Sequence, residues 1–372
     1  MHVHSGNLFG GVETILTTLA RYQYVTPQMN WHFAICFEGF LSESLRTLGV
    51  PVHSIGSVRL RNPWSIHRAR KNLHTLLSRN SFDVAIVHGS WAQILFGKVI
   101  QSHSLRLVLW VHDTPTGKSL LEKIARSVKP DLLLTNSEYT DAAAAPLFPG
   151  VARNKFHCPV PPSTVDDPAS VRRRMRRTLN VSDDTVVVTQ VSRMEPYKGA
   201  HVLIQALAKL RCNRKWVAWI VGGAQRESEK SYAKELERLA ISLGIQSQIF
   251  MLGQRKDVSD LLAASDIHCQ ANISGEPFGI IFIEALSAGL PVITSDCGGA
   301  REIITDGCGL LVPPGDSTRL SAAISNLVEN PMLRKEMGAR GPARAKLLCD
   351  PGAQLTQLQS ILFHDADLKV AL

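Results

Sequence analysis

No CxxC pair occurs among the seven cysteines of this chain, Cys36, Cys158, Cys212, Cys269, Cys297, Cys308 and Cys349. An odd, scattered set argues against a disulfide framework or a zinc site, and predicts reduced thiols in a cytosolic protein. The start, Met1-His2-Val3-His4-Ser5-Gly6, lacks the basic region and apolar core of a signal peptide, and no apolar run reaches membrane-spanning length. The expectation is a cytoplasmic chain. The densest basic run, Arg172-Arg173-Arg174-Met175-Arg176-Arg177, has no aromatic stacking residues beside it, which favours a solvated helix face over a nucleic-acid patch. A GxGxxG fingerprint is missing as well, leaving nicotinamide chemistry unsupported.

What is present suits a globular α/β protein. At 372 residues the chain is too long for one ordinary core and long enough for two domains with a cleft between them. Its formal charge of +9 favours anionic ligands or an anionic membrane face. Short apolar segments ending in small or polar residues alternate with amphipathic stretches: HFAIC, FDVAIVHGS, RLVLWVHD and DLLLTNS, then TVVVTQVS, KWVAWIVGG, IFMLG, DIHCQA and PVITSD. This alternation predicts βα units and parallel sheets buried on both faces. It is broken once, at CPVPPSTVDDP, where four prolines cannot continue a helix or a central strand. The predicted organisation is a first Rossmann-like domain over 1–160, a linker over 161–170, a second over 171–348, and a tail over 349–372 that packs back on the first. Doubly wound sheets bind ligands at the carboxyl ends of their strands.

The segment SGEPFGIIFIEALSAGLPVITSDCGG sets two carboxylates, Glu276 and Glu284, into a very apolar run. Pro277 keeps Glu276 out of the helix, and Glu284 falls inside the helix predicted between Gly279 and Gly289. Eight residues of helix rise roughly 12 Å, which disfavours a paired-carboxylate glycoside hydrolase. Two residues holding separate parts of one extended ligand fit better. A neighbour-satisfied helix carboxylate and a capping carboxylate are the plain alternatives. Between them, the amides of Phe278, Gly279 and Ile280 open a helix and form an anion site. In QVSRMEPYKGAHVLIQAL, Arg193 and Lys198 follow a buried strand and precede a helix, where they could clamp a pyrophosphate or simply lie solvated. Gly10-Gly11, just before a helix in HSGNLFGGVETILTTLARY, allows close phosphate approach or a plain turn.

Together these residues resemble the GT-B nucleotide-sugar glycosyltransferases of family 4, over nearly the whole chain and most strongly from Val187 to Val312. The E-x7-E of GEPFGIIFIEALSAGLPVI, followed by GGAREIITDGCGLLVPPGD, carries most of the resemblance, with VSRMEPYKG, IVGG, MLGQRKDVSDLLAASDI, GGVE and TNSEYT in support. It implies a GT-B fold of two Rossmann-like domains facing a central cleft, and a retaining, metal-independent hexosyltransferase that uses a nucleoside-diphosphate sugar in envelope or exopolysaccharide biosynthesis. By that resemblance Glu276 binds donor-sugar hydroxyls, Glu284 the ribose, and Arg193 and Lys198 the diphosphate. Gly10 and Gly11 lie near the donor phosphates and the acceptor; Phe278, Gly279 and Ile280 meet the sugar and phosphate through backbone groups; the base packs near Gly253 to Val258. His112, in LVLWVHDTPTG, resembles the histidine facing the transferred sugar, with Asp113 and His88 as companions; the alternative is a strand-end histidine bonded to backbone.

No DxD pair occupies a strand-end loop, so no metal and no other cofactor is expected. The implied partners are a nucleotide-sugar donor, a glycan or lipid-linked acceptor, and an anionic membrane touched peripherally at its inner face, with no nucleic acid. Met1 to His4 leave only a stub of the first strand, as if that strand is short or the true start lies upstream. A catalytically silent GT-B module is the alternative from another class. A phosphorylase lacks its cofactor-lysine context here, and the E-x7-E context disfavours an epimerase.

Overall fold

The computed structural model describes residues 1–367 apart from 7–9, 164, 225 and 306. The chain divides into two compact units, one of Met1–Val160 with Cys349–Leu372, the other of Pro161–Leu348. The first contains β1 (His2–His4), β2 (Phe33–Ile35), β3 (Val52–Ser54), β4 (Val84–His88), β5 (Arg106–Val111), β6 (Leu132–Thr135) and β7 (Ala152–Lys155). They form one parallel sheet in the order β3-β2-β1-β4-β5-β6-β7. The second contains β8 (Val186–Val191), β9 (Trp216–Val221), β10 (Ile249–Gly253), β11 (Ile267–Gln270), β12 (Val292–Ser295) and β13 (Gly309–Val312). Its order is β10-β9-β8-β11-β12-β13, again parallel. Strand order reverses beside β1 and beside β8, the topological switch points at which such sheets bind ligands.

All nine apolar segments noted above are strands. Of the other four, β1 is the short first strand expected at Met1 to His4, β3 and β7 are short polar edge strands, and β13 is an edge strand of four residues. Burial on both faces is clearest in β8, where Val186 and Val188 pack into one core with the helix Ala200–Leu207, while Val187 joins Trp219, Val171 and Leu261 in another. That two-sided packing is what a continuous Val run specifies. In the first unit Val3, Val87, Leu109 and Val111 share a core with residues of the helices Pro63–Arg79 and Gly89–Gln101.

The arginine run corrects a sequence expectation in part. It lies in the helix Pro168–Thr178, but Arg176 is 1% exposed, and Arg172 and Arg176 each meet Asp266 at 2.6 Å. Arg176 also donates to the carbonyls of Ala264 and Thr185, and Arg174 pairs with Asp260. Arg172 and Arg176 thus clamp the helix to the starts of β8 and β11, while Arg173, Arg174 and Arg177 remain exposed, as expected of a solvated face. A buried guanidinium is tolerated here because its donors are matched by a carboxylate and carbonyls.

The seven cysteines are free thiols. Among the described residues, no helix is long and apolar enough to cross a membrane. The chain leaves the first unit at Val160, whose amide donates to Cys349 O at 2.9 Å where the chain returns. The helix Pro351–Asp367 follows, with Leu362 O accepting from Arg106 and Gln359 bonding Gln28.

Candidate active site

In the second unit two loops are locked together at the switch point. Gly199 has φ +71°, and a Cβ there would stand 1.6 Å from Ala271 O, so only glycine lets the loop after β8 lie against the loop after β11. Ile273 N donates to Tyr197 O, and Gln190 Nε2 to Lys198 O. A second close approach fixes Glu276: it bridges Gly298 in parallel, its carbonyl accepts from Gly299 N at 2.8 Å, and a Cβ on Gly298 would sit 2.3 Å from that carbonyl.

The result is direct contact between Lys198 Nζ and Glu276 Oε2 at 2.5 Å, with both side chains largely buried. Asn272 and Gln270 also turn amide nitrogens toward Glu276 Oε2, at 3.4 and 3.5 Å, and both are buried. Burial alone would depress the Lys198 ammonium; Glu276 and Tyr197 outweigh it and hold its pKa above the ordinary lysine value. The ammonium stands 4.8 Å from the Tyr197 ring centroid, a cation–π distance. Lys198 is therefore cationic across the physiological range, and Glu276 keeps its second oxygen for another donor.

Arg193 follows β8 by two residues and pairs with Glu195 at 3.0 Å, with the buried Glu229 at 4.0 Å. It is partly exposed. Glu284 lies in the helix Ile280–Ser287, half-buried, and burial pushes its carboxyl up to about 7. Its carboxylate makes no hydrogen bond or ion pair among the described residues, so its charged form is under-solvated and open to hydroxyl donors. Gly279 caps that helix in a left-handed conformation, φ +105°, where a Cβ would meet the Phe282 ring at 2.3 Å. The amides of Gly279 and Ile280 meet no acceptor among the described residues, while Phe278 is buried and has a partner. Gly253 ends β10 with φ +65°, and Val258 begins the helix Val258–Ala264; the Arg255–Asp257 pair lies between them. Neither residue bonds to the Lys198–Glu276 cluster.

In the first unit Gly10 caps the helix Gly11–Arg21 with φ −169°, extended backbone open to any residue, so the protein's own conformation does not demand glycine there. Residues 7–9 of that motif lie outside the described residues. Glu13, in the first turn, accepts from His4 Nε2 at 2.9 Å, and both are buried. His112 follows β5. Its Nε2 lies 2.8 Å from His88 Nδ1 and its Nδ1 lies 3.3 Å from Asn136 Nδ2. Burial, with a smaller contribution from His4, pushes its pKa down to about 3. The ring is neutral with both nitrogens bonded to side chains rather than to backbone. Asp113 is exposed.

Sequence reading found the separate residues but not their pairings. Asn272 and Gln270 gave no signal beyond standing at the carboxyl end of an apolar strand, and Asn136, in TNSEYT, was noted only as part of a motif. Gly298-Gly299 could have been found as a glycine pair after PVITSD, where a close backbone approach is to be expected.

Residues 171–344 match the sequence model of the family described as "Glycosyl transferases group 1". A GDP-mannose-dependent monoacylated alpha-(1-6)-phosphatidylinositol monomannoside mannosyltransferase of Corynebacterium glutamicum is 29% identical over 71% of this chain and 69% of its own length. A phosphatidyl-myo-inositol mannosyltransferase of Mycobacterium leprae is 38% identical, over 40% of this chain and 38% of its own length. Among solved structures, Anabaena HepE in complex with UDP-glucose superposes with a TM-score of 0.84 at 23% identity, covering 97% of this chain and 98% of that one. Two Rossmann-like parallel sheets with this match are the GT-B architecture, and it is the second of them, within residues 171–344, that is similar to the group 1 glycosyltransferases.

Proposed function

We propose that this protein transfers a sugar, with retention of configuration and without a metal, from a nucleoside diphosphate to a lipid-linked or glycan acceptor in envelope or exported-polysaccharide synthesis. The observation that carries the reading is the Lys198–Glu276 contact, with its buried amide neighbours, at the switch point of the second sheet. Glu276 would accept from donor-sugar hydroxyls, Lys198 and Arg193 would neutralise the diphosphate, and Gly279 and Ile280 would donate amides to it. Glu284, without a partner among the described residues, would receive the ribose hydroxyls. Gly10 and Gly11 would face the phosphates and the acceptor, and Gly253 to Val258 the base. In the reaction the sugar C1–O bond to phosphate breaks and its electron pair goes to the diphosphate. The acceptor oxygen bonds C1 from the same face, and its proton passes to the departing phosphate oxygen, so the positive charges around that phosphate do the work.

The relatives' names set the donor test. Purified protein with EDTA should bind and slowly turn over one of GDP-mannose and UDP-glucose, with an anomeric product of unchanged configuration. Activity that EDTA abolishes and a divalent ion restores would remove metal independence. An inverted product would remove the mechanism. No binding to any donor sugar would leave a silent module.

A peripheral membrane contact also has a physical basis. From Ile55 to Ser81 there is no acidic residue, while Arg59, Arg61, Arg68 and Lys71 are exposed around Trp64, itself 81% exposed, and Leu60, 50% exposed. Cations around an exposed indole fit an anionic lipid surface. The protein should sediment with vesicles containing anionic lipid and not with zwitterionic ones, and Trp64→Ser should weaken this; equal sedimentation with both would end the idea.

A further inference from the structure

The first unit contains a line of ring hydrogen bonds whose direction can be worked out. Trp110 Nε1 lies 2.6 Å from Asn136 Oδ1; Asn136 Nδ2 lies 3.3 Å from His112 Nδ1; His112 Nε2 lies 2.8 Å from His88 Nδ1; His88 Nε2 lies 2.9 Å from His2 Nδ1. Five side chains from β1, the ends of β4 and β5, and the loop after β6 thus form one chain of bonds. The rings also stack, His88 on His112 at 5.1 Å and on His2 at 5.2 Å, with Trp110 5.0 Å from His112.

An indole N–H can only donate, so the oxygen of Asn136 must face Trp110. The amide nitrogen then faces His112 and donates to Nδ1. A neutral imidazole that accepts at Nδ1 has its proton on Nε2, and that proton points at His88 Nδ1. The same step repeats: His88 is protonated at Nε2 and donates to His2. Burial keeps all three rings neutral, with His88 and His2 held well below the ordinary histidine range. The groups facing His112 are His88 and, beyond it, His2, with His4 on β1 bonded to Glu13, and Asp113 next along the chain. None of their carboxylates bonds to either of its ring nitrogens, so nothing opposes the direction set by Trp110.

We infer that Trp110 and Asn136 are positioning residues that fix His112 as the Nε2–H tautomer and commit both its ring nitrogens to protein. His112 then offers a ligand its ring edge and backbone but neither accepts nor supplies a proton. This deepens the reading of His112 in the proposed transferase and rests on it for the kinetic consequence alone; the tautomer itself follows from the bonds.

The test uses full-length protein labelled with 15N-histidine. Two-bond nitrogen–proton correlations should give His112, identified by its loss in His112→Gln, the neutral Nε2–H pattern, unchanged from about pH 6 to 8. Trp110→Phe keeps the bulk, removes the only obligate donor, and should give a mixture of tautomers. In Asn136→Asp the carboxylate accepts from the indole and from Nδ1–H, so His112 should become an imidazolium that titrates between about pH 5 and 8. In that variant kcat/KM should acquire a limb in this range that the wild type lacks. An Nδ1–H pattern in the wild type, or an unchanged tautomer in Trp110→Phe, would overturn the proposal, and Trp110→Phe decides it should Asn136→Asp not fold. Failure to turn over any donor would count against the transferase reading while leaving the tautomer spectra to judge this one.

Discussion

Lys198→Ala is expected to lower kcat by about 10²- to 10³-fold, the scale seen when one preorganised charge is taken from a developing anion. Two effects combine in that loss. The departing diphosphate loses a cation, and Glu276 is left in a largely buried position with only the amides of Asn272 and Gln270 for company. Removing one member of a buried pair costs about 3–5 kcal/mol when nothing compensates. The two contributions separate in a double variant. Lys198→Ala with Glu276→Gln removes the orphaned charge, so denaturant unfolding should show stability returning toward wild type while turnover stays low. If stability and activity recover together, the pair is structural and the catalytic assignment fails.

Glu284 is expected to trade stability for binding. Its folded pKa, about 7, stands above the ordinary carboxylate value of 4.5, so its contribution to stability is complete below that value and is lost as pH rises through about 7. The shift corresponds to at most about 3 kcal/mol. Glu284→Gln should therefore match wild type near pH 4.5 and exceed it in stability at pH 8. The same variant should bind a nucleoside diphosphate about 10- to 100-fold more weakly, since hydrogen bonds to a charged acceptor become bonds to a neutral one. Hydroxyl donors would also draw the wild-type carboxyl toward ionisation. Calorimetry at pH 7 in buffers of different ionisation enthalpy should then show up to about half a proton released per ligand. No release, with Glu284→Gln binding as wild type does, would remove Glu284 from the site.

The parallel α/β architecture could be read from the sequence because buried parallel strands leave continuous apolar runs, as in Val186 to Val191. Edge strands such as Ala152–Lys155 leave no such trace, since one side faces water and four residues cannot show a period. Glu276, Glu284, Arg193 and Lys198 stood out because charge in an apolar or strand-end context is costly and so conspicuous. Their arrangement did not. The ion pair of Lys198 with Glu276 spans 78 positions and depends on Gly199 and Gly298 permitting backbone approach, which no local pattern encodes. For the same reason Arg176 read as solvated: its carboxylate partner, Asp266, is 90 positions away.

The hydrogen bond from Val160 to Cys349 marks the point where one unit is interrupted so that the other can be made. On the ribosome the seven strands of the first sheet are complete by Lys155, yet the helix Pro351–Asp367 that belongs with them is not synthesised until all of 161–348 has followed. At about 5–20 residues per second that interval is roughly ten to forty seconds. During it Gln28 and Arg106 lack their partners on this helix, and that side of the first unit stays open to whatever binds emerging chains.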